Sequence, residues 1–168
     1  MEKFDIDFSK FSKISKTSIF VSGHRDLTEK EFNFYYLRYL QQSIPTVSGI
    51  PVHFYVGDCK GCDEMVINAI YNLIIKGANI YLTICKLKNS FPDQIKKFPV
   101  HPNIEVIDKF NSHEDRDTYM TEYTDIDILW VREGKWDSGT AQNYVRRKFH
   151  DPIYYKFRGL NKVRYDEF

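Results

Sequence analysis

Short apolar runs alternate along the chain with amphipathic stretches at helical spacing, and most of the runs stop at a glycine or a polar turn. Thr17 to Ser22 carries Ile19, Phe20 and Val21, then breaks at Gly23 into His24, Arg25 and Asp26, the pattern of a strand and its turn. Thr28 and Glu31 make a capping box, after which Phe32, Tyr35, Tyr36, Tyr39 and Leu40 recur on one helical face. Val52, Phe54, Tyr55 and Val56 have the β-branched and aromatic content of a buried strand. Beyond Gly61, the spacing of Met65, Val66, Ala69, Ile70, Leu73 and Ile74 predicts a helix that Gly77 ends. Asn79 to Ile84 predicts a third strand, so the first half reads βαβαβ.

The second half is less regular. Between residues 86 and 102, Lys86, Lys88, Lys96 and Lys97 are interleaved with Pro92, Pro99 and Pro102, which predicts a long loop with room for one short helix, its lysines either keeping the loop solvated or contacting an acidic partner in a protein-interaction role. Ile104, Val106 and Ile107 make a short fourth strand. Ser112 can cap a helix with Tyr119, Met120 and Tyr123 on its apolar face, and Arg116 lies one turn earlier on that face, aimed at the sheet edge. Asp125 to Val131 reads as a fifth strand. Ser138, Gly139 and Thr140 then open a helix expected to bury Ala141, Tyr144, Val145 and Phe149, and Pro152 to Tyr155 reads as a last short strand.

This alternation predicts an α/β protein, a single Rossmann-like domain over residues 17–157 with a mainly parallel sheet and helices on both faces. Residues 1–16 form an N-terminal arm and 158–168 a polar C-terminal tail. Ligands of such sheets bind at the carboxyl ends of the strands, where the Gly23, Gly57, Arg116 and Gly139 segments all fall.

Composition narrows the picture. A chain of 168 residues with 42% hydrophobic content can bury a real core without staples. A formal charge of +1 lacks the basic bias of a general nucleic-acid binder, so a small-molecule partner is expected rather than a polymer. No apolar stretch approaches ~18 residues and the Met1 to Asp5 start has no signal-like core, so a soluble, cytoplasmic protein without a membrane partner is expected. Aromatic-rich helices leave room for a homodimer. Cys59, Cys62 and Cys85 are too few and odd in number for a disulfide framework.

The chemistry centres on the turn from Val56 to Asp63. A glycine turn between strand and helix offers free backbone N–H groups and the positive end of the helix dipole, which suits an anion. Gly57 and Gly61 permit close approach, Lys60 adds charge, and Arg25 past the first strand is a second cation. Ser138, Gly139 and Thr140 make a second cradle. Each feature also has a purely structural reading: turn geometry for the glycines, capping for Asp63 and Ser138, ion pairs for Arg25 and Arg116, core packing for Trp136. Cys59-x-x-Cys62 matches a thioredoxin-like redox turn, and with His24 it offers three ligands toward zinc without an obvious fourth. The further strand and helix units downstream exceed a small redox domain, so packed thiols, with no metal and no cofactor, are expected. His53, His101, His113 and His150 are scattered and receive no role.

The succession Ser22, Gly23, His24, Arg25, Asp26, then Gly57, Lys60, Gly61, Cys62, Asp63, then Arg116, then Asp125 to Trp130, then Ser138, Gly139, Thr140 resembles the SLOG superfamily over residues 17–150. It is most similar to the small YspA-like members, relatives of the cytokinin-activating phosphoribohydrolases and of DNA-processing protein A. The resemblance implies a nucleotide or nucleotide-derived, phosphate-bearing ligand held by Ser22, Gly23, His24, Arg25, Gly57, Lys60, Gly61, Asp63, Arg116, Ser138, Gly139 and Thr140. It implies either a sensing or sequestering module or an N-glycosidase-type hydrolase. In the phosphoribohydrolase branch a catalytic glutamate follows the threonine of the glycine-threonine turn by three residues; here that position is Asn143, preceded by Gln142. An amide cannot serve as a general base. A hydrolase would need Asp63, Glu64, Asp117 or Asp137 instead, with Asp63 and Glu64 at the central turn the first candidates, and binding is better supported than catalysis.

Overall fold

The computed structural model describes residues 17–44, 50–88 and 100–150. The arm 1–16, the loop segment 89–99 with Lys96 and Lys97, the strand expected at Pro152 to Tyr155 and the tail lie outside these residues. Within them the chain is an α/β protein with five parallel strands: β1 (Thr17–Ser22), β2 (Val52–Val56), β3 (Ile80–Leu87), β4 (Ile104–Phe110) and β5 (Ile126–Leu129). Their order is β4-β3-β2-β1-β5, with Val21 of β1 opposite Val56 on one side and Ile128 on the other. The chain moves outward from β1 to β4 and then returns to β1's other flank. That reversal opens a crevice beyond the carboxyl ends of β1 and β5.

Among the described residues four helices cover the sheet. Helix α1 runs through Glu29–Phe32, a π-helical turn Asn33–Leu37 and Arg38–Gln42, and its start is the Thr28 and Glu31 capping box. Helices α2 (Cys62–Ile75), α3 (His113–Glu122) and α4 (Gly139–His150) follow. Because strand side chains alternate, Ile19 and Val21 enter one core with Phe54, Leu82, Val66 and Ile70 under α1 and α2. Phe20 enters another with Cys85, Phe110 and Met120 under α3, while Leu129, Val131, Ala141 and Tyr144 pack under α4. Strands buried on both faces read as near-continuous apolar runs, which is why β1 and β2 stand out in the sequence despite Ser18 and His53. Tyr36 ties α1 to the crevice: its buried hydroxyl donates to the Ser22 carbonyl at 2.8 Å and accepts from the Trp130 N–H at 3.0 Å. Among the described residues no helix is long and apolar enough to cross a membrane.

Several expectations change. β3 continues to Leu87, so Lys86 lies in the strand and is buried, and β4 is seven residues long. β5 ends at Leu129, because Trp130 and Val131 turn from the ladder toward α1 and α4; Trp130 stacks on Tyr35 with ring centroids 4.0 Å apart. Tyr123 at the end of α3 is exposed. On α4, Ala141 and Tyr144 are buried as expected, but Val145 and Phe149 face solvent and Asn143 and Arg147 point inward. The reason is an ion pair: Arg147 donates to the Thr124 carbonyl at 2.6 Å, to Thr124 Oγ1 at 2.5 Å and to Asp127 Oδ1 at 3.0 Å, with both charged side chains 1% exposed.

A buried pair costs most when only one member is removed. Arg147→Ala is expected to lower the unfolding free energy by about 3–5 kcal/mol, and Arg147→Leu combined with Asp127→Leu to recover at least half of that loss in urea melts. A single variant as stable as wild type would show that the pair does not hold α4 in place.

Candidate functional site

Two turns form the floor of the crevice and are bound to each other. A Cβ on Gly23 would collide with the Tyr36 hydroxyl and Cys62, and one on Gly61 with the carbonyls of Arg25 and His24. Gly61 also has φ +76°, and the N–H of Cys62 beside it donates to the His24 carbonyl at 3.1 Å. Both glycines thus have structural reasons to be there. His24 is buried; its Nε2 accepts from the Arg132 N–H at 2.8 Å, which places the ring proton of the neutral form on Nδ1. Burial and Arg132 hold its pKa below the usual value. Arg132 closes the strap with Asp26 and Glu31, each at 2.9 Å.

The central turn is acidic at its heart. Asp63 at the second position of α2 is buried, and its Oδ2 accepts from the Cys59 N–H at 3.0 Å. Burial pushes its carboxyl up to about 7 against the pull of Arg116. Arg116, 5% exposed, donates from NH1 to Asp58 Oδ1 at 2.6 Å and from Nε to Asp117 Oδ1 at 2.9 Å; its NH2 is also 2.8 Å from that oxygen. Asn143 Nδ2 donates to the other oxygen, Asp117 Oδ2, at 3.1 Å, and Arg146 donates to Asn143 Oδ1. A Cβ on Gly57 would strike Asp63 Oδ2 and Arg116 Cζ, so this glycine lets the pair approach the end of β2.

The start of α4 and the Arg25–His113 pair complete the walls, with His113 beside Asp58 and Cys59. Ser138 caps α4, its Oγ accepting from the Ala141 N–H at 3.2 Å. Among the described residues the N–H groups of Gly139 and Thr140 have no partner. Gly139 has no positive φ, and a Cβ there would meet nothing within 4 Å, so neither backbone nor packing calls for a glycine. Arg25 donates through NH2 to His113 Nε2 at 3.2 Å, and burial with Arg116 and Arg25 lowers the His113 pKa.

These walls enclose a cleft of about 280 Å³. It brings together ten expected residues, Ser22, Gly23, His24, Arg25, Gly57, Asp63, Arg116, Ser138, Gly139 and Thr140, and adds Phe20, Cys59, His113 and Asp117. Lys60, Gly61 and Glu64 are not in its walls, and Trp136 is exposed rather than core. The central turn uses the N–H groups of Cys59 and Cys62 internally, while those of Gly139 and Thr140 at the start of α4 remain open to an anion. Two unassigned residues carried usable signals: His113 follows the Ser112 cap and lies one turn before Arg116, and Asp58 follows Gly57. A wider, shallow groove beside α1, lined in part by Lys30, Phe34 and Tyr35, lacks such convergent groups.

Burial and Asp63 push both Cys59 and Cys62 upward, whereas an attacking thiol needs a lowered pKa. Ligand atoms of Asp58, Cys59 and His113 lie within 4.8 Å of one another, but Arg116 is bonded to Asp58 at 2.6 Å and to Cys59 Sγ at 3.6 Å, and Arg25 to His113. Guanidinium groups thus stand where a metal ion would have to sit. Neither a scan against protein-family models nor a search of curated proteins finds a match to this chain.

A carboxyl raised from 3.8 to about 7 favours folding in its neutral form, so its contribution is full below 3.8 and lost as pH rises through about 7. Asp63→Asn should therefore gain stability relative to wild type between pH 4 and 8, by at most about 4 kcal/mol. Urea melts across that range check this; a flat difference would show that the Asp63 carboxyl is not perturbed.

Proposed function

We propose that the cleft binds a nucleotide-type, phosphate-bearing small molecule, as a sensing or sequestering module of SLOG type, with the phosphate seated on the N-terminus of α4. The observation that carries this reading is the pair of unpartnered amides at Gly139 and Thr140, beside open space at Gly139 and on the same cleft as Arg25 and His113. Helix amides, the dipole and a guanidinium together favour an anion, and the switch point between β1 and β5 is where open parallel sheets bind ligands. Arg116 has a different role. Already paired with Asp58 and Asp117, it orders the deep wall, and Arg25 is the cation that meets phosphate.

A second reading, hydrolysis of a nucleotide N-glycosidic bond, draws on Asp63. A carboxyl with a pKa near 7 can hand over or take up a proton at neutral pH, and Asp117 lies in the same cleft. Asn143 holds Asp117 rather than acting itself, and Glu64 is outside the walls. On this reading nucleoside monophosphates release free base and Asp63→Asn stops the release; no release leaves the binding reading alone.

Calorimetric titration with adenosine 5′-monophosphate tests the binding reading. Arg25→Ala is expected to weaken binding by about 1.5–3 kcal/mol, and Gly139→Val to abolish it by filling the phosphate position. Because His113 has a lowered pKa that an added phosphate would raise again, affinity should increase from pH 8 to 6, and His113→Gln should flatten that slope. Folded Arg25→Ala and Gly139→Val proteins that bind as tightly as wild type would remove phosphate from this wall.

A further inference from the structure

Away from the cleft, one sheet face is covered only in part among the described residues. Helix α3 joins β4, at one edge of the sheet, to β5, at the other, in ten residues, and Met120 packs it onto Phe20, Cys85 and Phe110. Toward the amino ends of the strands the same face carries two registered rows, His53 beside Ser18 and Tyr81, then Thr83 beside Tyr55 and Glu105. Tyr81 is 38% exposed there and Glu105 is exposed, while Tyr123 at the end of α3 is 57% exposed and stacks on Tyr119 at 4.2 Å. Parallel sheets are ordinarily covered on both faces, and large rings exposed together mark a surface that something packs against. The charge around these rings is one-sided. Glu105, Glu122 and Asp125 border them, with the Asp125 N–H bonded to the Ser18 carbonyl at 3.0 Å, whereas the ammonium of Lys109 is drawn onto the Tyr119 ring, 4.6 Å from its centroid.

We propose that residues 1–16 of this chain dock on this surface, their phenylalanines against Tyr81 and Tyr123 and their lysines against the carboxylates. Position favours this segment, because it joins the sheet at Thr17, beside Ser18 of the first row. Length is sufficient: β1 and β4 are three strand spacings apart, about 14 Å, and the stretch from Lys10 to Lys16 can reach about 23 Å when extended. Composition matches as well. Phe8, Phe11 and Ile14 supply apolar area, and Lys10, Lys13 and Lys16 come with no acidic residue among them. A second copy of the surface would instead set carboxylates against carboxylates, which disfavours a face-to-face pair. Tyr119 lies on the helix that carries Arg116 and Asp117, so the docked arm braces α3 from outside the cleft, whatever the cleft binds.

The full chain with the photoreactive residue p-benzoylphenylalanine in place of Phe8 or Phe11 tests this, irradiated at low protein concentration and mapped by mass spectrometry. Crosslinks are expected within one chain, to the peptides that hold Tyr81, Glu105 and Tyr123. Glu105→Lys combined with Glu122→Lys, both at exposed positions, should keep the circular dichroism spectrum and lower the crosslink yield by at least about threefold at low salt. Crosslinks that are absent, confined to other surfaces or formed between two chains would overturn the proposal, and so would a yield that is indifferent to the charge reversals.

Discussion

The guanidinium of Arg116, buried among carboxylates, is the constraint on which the carboxyl edge of the sheet depends. It joins the β2 turn through Asp58 to α3 through Asp117, and Asn143 extends the chain of contacts to α4. Three segments far apart in sequence are thereby held in one wall. Ion pairs of this kind need not add to stability, because desolvating the charges offsets much of their attraction, but they punish any arrangement that leaves a charge unpaired. Their effect here is geometric, and it explains Gly57, where a side chain would displace both Asp63 and Arg116.

The donors of the cleft stand close to these acceptors. Arg25 bonds His113, whose ring lies within 4.8 Å of the Asp58 and Cys59 ligand atoms, and the start of α4 lies one turn before Asn143, which holds Asp117. The phosphate proposed for the cleft would draw on the Gly139 and Thr140 amides and on Arg25, because Arg116 is already paired with carboxylates.

Much of the scaffold was legible because its signals are local. β1 and β2 are largely buried and carry dense apolar runs, Ile19 to Val21 and Phe54 to Val56, and Thr28 and Ser112 cap helices through side chains three residues from their partners. The failures share a cause. Arg147 lies inside α4 because of Asp127 and Thr124, a pairing across 20 or more residues that hydrophobic periodicity reads as an outward charge. The central turn offered glycines, a lysine and a helix start as local marks, whereas the guanidinium of Arg116 that pairs with Asp58 comes from 58 residues away and leaves no mark there. His113 carried a local signal in the Ser112 cap and the spacing to Arg116, but its pairing with Arg25, 88 residues away, left none.

The seating proposed for a phosphate on α4 is tested most directly by following backbone amide resonances while adenosine 5′-monophosphate is added. The largest shifts are expected at Gly139 and Thr140, whose N–H groups would change from unpartnered to phosphate-bound, with smaller changes along the Gly57 to Cys59 segment. Shifts centred on Lys60 and Gly61, with Gly139 and Thr140 unmoved, would contradict the assignment and return the phosphate to the central turn.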